Sequence, residues 1–134
     1  MPAHFMATLP NFLAYFGVSI GLLGLFLLVY VTVTPYKEFT LIRGGNTAAA
    51  ISLTGTILGF ALPVANVVAH SDTLLDLTMW GAVAGCVQLA AYFAVRLLLP
   101  QLNDDIPAGR VASATFLAGL SLGVGIINAA CMTY

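Results

Sequence analysis

Residues 10–34 read PNFLAYFGVSIGLLGLFLLVYVTVT. None of these positions is Asp, Glu, Lys, Arg or His. A helix needs roughly 20 apolar residues to cross a bilayer core, and the run about Pro10–Thr34 exceeds that. A β-barrel strand would alternate apolar and polar side chains at every second position; this stretch does not. It is therefore predicted to be a transmembrane helix. Three further runs share the pattern, at about Thr47–Ala69, Asp76–Leu99 and Val111–Met132. Pro35 and Pro100 each close a span, because proline cannot continue the helical hydrogen-bond ladder. Gly44, Gly45 and Asn46 precede the second span, with Asn46 placed to cap it. The predicted fold is an all-α membrane protein of four transmembrane helices, forming a single domain over residues 1–134.

The composition agrees. Of 134 residues, 60% are hydrophobic and 7% charged, where soluble domains carry about 25% charged residues. Such a chain cannot cover its apolar surface in water, so the lipid bilayer is its expected partner. A net charge of −1 without a basic patch argues against nucleic acid. The four cationic residues are Lys37, Arg43, Arg96 and Arg110, all in or beside the loops 35–46 and 100–110. The positive-inside rule places those loops in the cytoplasm and both termini on the periplasmic side. Trp80 and Tyr134 then fall at the outer interface and Tyr36 at the inner one. The N-terminus Met1–His4 lacks the positive charge of a secretory signal, so the first helix is expected to remain.

The two halves resemble each other at a shift of 64 residues. Ala48 meets Ala112, Leu53 meets Leu117, Gly55 meets Gly119, Leu58 meets Leu122 and Gly59 meets Gly123. This predicts two parallel two-helix repeats, about 10–70 and 76–134, related by an axis along the membrane normal. Each span also carries a G-x-x-x-G pair: Gly17/Gly21, Gly55/Gly59, Gly81/Gly85 and Gly119/Gly123. Paired glycines let helix backbones approach closely. All four pairs are expected to serve helix packing, some within the bundle and some in a homodimer or higher homo-oligomer. Cys86 and Cys131 read as small packing residues.

Counting 1.5 Å of rise per residue puts Ser19, Thr56, Gln88 and Ser121 in one polar layer near the midplane. Asn66, His70 and Asn128 form a second polar group toward the outer side. Gln88, Asn66, Asn128, His70, Thr56 and Ser121 are thus candidates for a polar pathway; the alternative is that they bond between helices or meet interfacial water. Pro63 frees a backbone carbonyl one turn before Asn66. The cytoplasmic loop residues Lys37, Glu38, Arg43, Asn46 and Arg110 are candidates for a partner surface. The segment around Leu41 and Ile42 is expected to lie flat in the interface. Arg96 is expected to reach the headgroups or to pair with Asp104 or Asp105. No catalytic, metal-binding or cofactor motif is present, so an enzyme is not expected.

The run Thr34-Pro35-Tyr36-Lys37-Glu38-Phe39, followed by Leu41-Ile42-Arg43-Gly44-Gly45-Asn46 and the alanines 48–50, resembles the family called domain of unknown function 350, the YjfL-like proteins. Gly55, Leu58-Gly59, Pro63, Trp80-Gly81, Gln88 and the C-terminal Asn128–Thr133 extend the resemblance over nearly the whole chain. It implies a bacterial inner-membrane protein of four helices built from two repeats, and implies no activity. The family often has Gly-Asn before each Ala-rich helix, whereas here the second repeat has Gly109-Arg110. Two functions remain open: a channel or permease subunit for an ion or small polar solute, and a structural or partner subunit of an envelope or membrane-stress complex.

Overall fold

The computed structural model describes residues 2–132, with side chains from Phe5 onward. It is helical throughout, with no strand among the described residues. Four long helices, α1 (Pro2–Val33), α3 (Thr47–His70), α4 (Leu74–Leu98) and α6 (Val111–Cys131), are long and apolar enough to cross a membrane. Two short ones, α2 (Glu38–Arg43) and α5 (Leu102–Asp105), sit in the loops that carry the basic residues. That side is called the basic end here, and the side of the 70–73 turn the terminal end. Tyr134 and Thr133 lie outside the described residues.

The helix boundaries follow from local chemistry. Asn46 caps α3 as expected, its Oδ1 accepting from the Ala49 N–H at 2.9 Å. Thr73 does the same for α4, accepting from Asp76 N–H at 3.1 Å. Asp76 itself lies in the first turn, where a carboxylate suits the helix dipole. The two basic-end loops close alike. Gly45 (φ 88°) and Gly109 (φ 80°) occupy the left-handed region. In each loop the glycine N–H bonds three residues back, to Ile42 and Ile106, and the next N–H bonds five back, to Leu41 and Asp105. This is a Schellman turn, which glycine permits at no steric cost.

The helix α3 is central. It packs most extensively on α6 and also meets α4 and α1. The α3–α6 contact is backbone on backbone. A side chain at Gly55 would meet Ala118, one at Gly59 would meet the Ser121 carbonyl, and one at Gly125 would meet the Gly59 carbonyl and Cα. Pro63 lies inside α3 and has no N–H to give to Gly59 four residues back. The Gly59 carbonyl is thus freed at the level where Gly125 leans on it. Such an approach suits a Cα–H···O contact.

The glycine pairs differ in their surroundings. Gly55 and Gly59 pack on α6, Gly81 meets Leu22, and Gly85 faces Phe26 and Phe60. Gly17, Gly21, Gly119 and Gly123 instead face open space. The partner of Gly59 on α6 is Gly125, in register with Ser121 rather than with the Gly119/Gly123 pair.

Other expectations change for a related reason. The first span begins at Pro2, with Pro10 inside the helix. At 32 residues α1 is about 48 Å long, more than a bilayer core requires. Its Tyr15 hydroxyl reaches the Ser71 carbonyl at 3.4 Å, so the end of the bundle lies level with Tyr15, not Pro10. Ser19 therefore sits one turn from that end rather than at the midplane. Cys86 and Cys131 are exposed on the helix surfaces rather than packed. Asp105 pairs with Arg110 at 3.6 Å rather than with Arg96.

Candidate functional site

The predicted polar layer divides into three places. Gln88 and Ser121 come together, fully buried between α4 and α6: Gln88 Nε2 donates to the Ser121 carbonyl at 3.1 Å. The Gln88 Oε1 and the Ser121 hydroxyl have no hydrogen-bond partner. Thr56 is also buried, toward Tyr30 of α1. It donates to its own helix at Ser52 O, 3.1 Å, and lies 3.4 Å from the Tyr30 hydroxyl. Ser19 donates to Tyr15 O at 2.7 Å.

The second predicted group works as a clasp. Asn66 Nδ2 donates to Ala129 O at 2.8 Å and Met132 O at 3.1 Å, satisfying carbonyls that the end of α6 leaves open. His70 Nδ1 lies 2.9 Å from Asn66 O. The Asn128 amide nitrogen is buried without a partner among the described residues. Asn66→Ala is expected to cost about 1 kcal/mol, two interhelical bonds at their usual worth in a membrane. Thermal unfolding in detergent checks this, and Gln88→Leu, which removes an unpaired oxygen along with one bond, should change stability less.

At the basic end, Asn46 spends its amide protons on the second loop, donating to Ile106 O at 3.1 Å and Pro107 O at 3.2 Å. The two loops are thereby tied together. Asp105 accepts from Ser113 Oγ at 2.6 Å and faces Arg110. Lys37 and Arg43 are exposed. Leu41 and Ile42 are half-buried and pack against the core.

Glu38, read from the sequence as a cytoplasmic-loop residue and a candidate for a partner surface, is buried. It is 1% exposed. Pro35 ends the ladder of α1, and the chain turns so that α2 begins beneath the bundle. The Thr34 hydroxyl lies 2.8 Å from both carboxyl oxygens of Glu38 and donates its single proton to the carboxyl. No cation pairs with Glu38 among the described residues. Tyr36, expected at the interface, is 6% exposed and its hydroxyl is buried without a partner. Burial pushes the Glu38 carboxyl above the ordinary value of 4.5, against the opposing pull of Thr34 and a backbone hydrogen bond. Burial likewise raises the Tyr36 phenol, and neighbouring Tyr30, Tyr92 and Glu38 add to this.

Above this carboxyl the helices supply an aromatic column. Tyr30 and Tyr92 meet edge to face at 5.7 Å, and Tyr92 donates to Asn103 Oδ1 at 2.7 Å. One turn further on, Phe26 and Phe60 stack at 4.4 Å. Beyond Phe60 the α1–α3 seam opens into a groove of about 720 Å³ toward the terminal end. Its polar lining is Asn11, Tyr15, Ser19, Ser71 and Asp72. The seam thus runs from a polar-mouthed groove, past a stacked pair of rings, to a buried carboxyl. Sequence reasoning placed Glu38 in a loop and missed Tyr30, Thr34 and Tyr92. The available signal was Thr34 four residues before Glu38, with Tyr36 between.

Residues 4–132 match the family described as Domain of Unknown Function (DUF350). The chain belongs to the DUF350 family. It is 35% identical over 131 residues to the UPF0719 inner membrane protein YjfL of Escherichia coli K12, covering 98% of this chain and 99% of the relative. It is also 35% identical over 92 residues to the UPF0719 transmembrane protein YshE of Bacillus subtilis, covering 69% of each. No solved structure matches. Within this DUF350 chain, the buried Glu38 falls in the Thr34–Phe39 run on which the resemblance rests.

Proposed function

We propose that this DUF350 chain is a channel or permease subunit of the bacterial inner membrane for an ion or small polar solute, with Glu38 as the group that takes up the proton or cation. The carrying observation is the burial of Glu38 without a cationic partner. A buried carboxyl is costly unless its charge is balanced or it holds a proton. In this reading the basic loops face the cytoplasm and the termini the periplasm, as the cation count directs. The like-built turns at Gly45 and Gly109 support an origin by duplication. The route follows the α1–α3 seam, since α3 and α6 are packed too closely at Gly59 and Gly125 to admit water.

Flux into proteoliposomes tests this. Under a proton gradient and with a panel of monovalent cations, Glu38→Gln is expected to abolish the flux that the wild type carries, and Gln88→Leu to retain it. Absence of flux from folded wild-type protein, or equal flux from Glu38→Gln, would overturn the reading.

A second reading is a structural or partner subunit. It is favoured by the open glycine faces, Gly17/Gly21 on α1 and Gly119/Gly123 on α6, which no helix of the same chain covers. Small-residue faces of this kind serve helix association in membranes. Cross-linking in native membranes separates the two: a stoichiometric heterologous partner supports the structural role, and a homo-oligomer supports a self-contained conduit.

A further inference from the structure

The groove at the terminal end has properties that select a ligand. Its walls are apolar and partly aromatic: Phe12 and Phe16 of α1 stack at 5.6 Å with planes 13° apart and both line it, opposite Ala61 and Ala65 of α3. Its mouth carries the Asp72 carboxylate and the Tyr15 hydroxyl. Its volume of about 720 Å³ is that of a site for a molecule of moderate size. The charge around it is one-sided. All four Lys and Arg residues of the sequence belong to the opposite end of the bundle. Asp76, the other nearby carboxylate, accepts from Ser71 Oγ at 3.1 Å, whereas Asp72 is exposed at the groove.

We propose that the groove between α1 and α3 is a binding site for an amphiphilic cation, an apolar or aromatic body bearing one positive charge. The body lies between Phe12, Phe16 and the small residues Ala61 and Ala65. The charge faces Asp72 and the electron-rich ring faces of the aromatic wall, which attract cations. Apolar complementarity alone would accept any hydrophobic molecule, including a lipid chain; the carboxylate at the mouth and the lack of Lys and Arg on that side supply the selection for charge. The site goes beyond the permease reading, because it requires binding and not passage.

Two probes of equal size and opposite charge test it: tetraphenylphosphonium and tetraphenylborate. Equilibrium dialysis of the purified full-length protein in detergent, against micelles alone, reads saturable binding. Phosphonium is expected to bind at one saturable site and tetraphenylborate to show none. Asp72→Asn should weaken phosphonium binding about fivefold, the upper worth of an exposed ion pair. Ala65→Trp, on an exposed face of α3, should fill the groove and abolish binding. Far-ultraviolet circular dichroism and elution volume verify that both variants remain folded, and Gln88→Leu, outside the groove, should bind as the wild type does. Equal binding of the two ions, unsaturable uptake as for a groove filled by lipid or detergent, or unchanged binding in Ala65→Trp would each overturn the proposal. A failed flux assay with intact phosphonium binding would overturn only the permease reading.

Discussion

Gly125→Ala is expected to destabilise the folded chain by about 3 kcal/mol, the upper part of the usual range for overpacking. The added methyl group would meet the Gly59 carbonyl and Cα, and backbone cannot rotate aside as a side chain does. Relief requires α3 and α6 to separate, and their contact is the most extensive in the bundle. Parting them also loosens the clasp of Asn66 on Ala129 and Met132 and the Gln88–Ser121 bond. Gly119→Ala provides the comparison on the same helix. A methyl group there meets nothing within 4 Å, so a change within about 0.5 kcal/mol is expected. Denaturant unfolding followed by the fluorescence of Trp80, the single tryptophan, measures both. Equal losses in the two variants would contradict the assigned α3–α6 contact.

The second large effect concerns pH. Burial raises the Glu38 carboxyl above its ordinary value of 4.5, so the folded chain holds this proton more tightly than the unfolded chain does. Stability must then fall with rising pH wherever the folded state binds the extra proton. The contribution is complete below about 4.5 and is lost as pH rises through the folded-state value, after which the profile is flat. Glu38→Gln keeps the shape and a hydrogen-bonding partner for Thr34 but cannot ionise. It is expected to flatten the profile and to exceed the wild type in stability at the alkaline end. Glu38→Ala should be the least stable at acid pH, because it leaves Thr34 without its partner and a void beneath Tyr30 and Tyr36. Melting temperatures in detergent across the acid-to-neutral range check the three profiles. A wild-type stability that rises with pH, with the slope removed in Glu38→Gln, would mean that Glu38 is ionised and stabilised by a charge.

Much of the architecture was legible because membrane spans are written in run length. The uncharged stretch after Pro10 could be little else, and the stops at Pro35 and Pro100 and the cap at Asn46 act locally. What escaped depends on which side of each helix faces which neighbour. Periodicity is weak when every face is apolar, so Gly119/Gly123 and Gly125 could not be ranked by pattern alone. The spacing Ser121-x-x-x-Gly125 marks a small-residue face as plainly as the neighbouring glycine pair does. The depth of Ser19 was misjudged because α1 extends beyond the bundle. The burial of Glu38 was not legible, because nothing local sets a carboxylate beside Lys37 and Arg43 apart from a surface one. Its burial is tertiary: it requires Pro35 to turn the chain and Tyr30, Tyr36 and Tyr92 to surround the site.

The polar residues on the spans are therefore of two kinds. Gln88, Ser121 and Asn66 join helices, whereas Thr34, Glu38, Tyr36 and Tyr92 gather at one end of a seam that opens at the other. A bundle with a close-packed half, α3 with α6, and a lightly held helix, α1, has a natural place for movement. Among the described side chains of α1 only Phe26 and Tyr30 are buried, so α1 can part from α3 at lower cost than α6 can.

Infrared titration of the Glu38 carboxyl in lipid bilayers, taken as the wild-type minus Glu38→Gln difference, tests the central claim most directly. A protonated-carboxyl band that persists above pH 4.5 and is absent from the variant is the predicted result. A carboxylate fully ionised at or below that value would contradict it, and would return Glu38 to the solvated loop from which the fold has taken it.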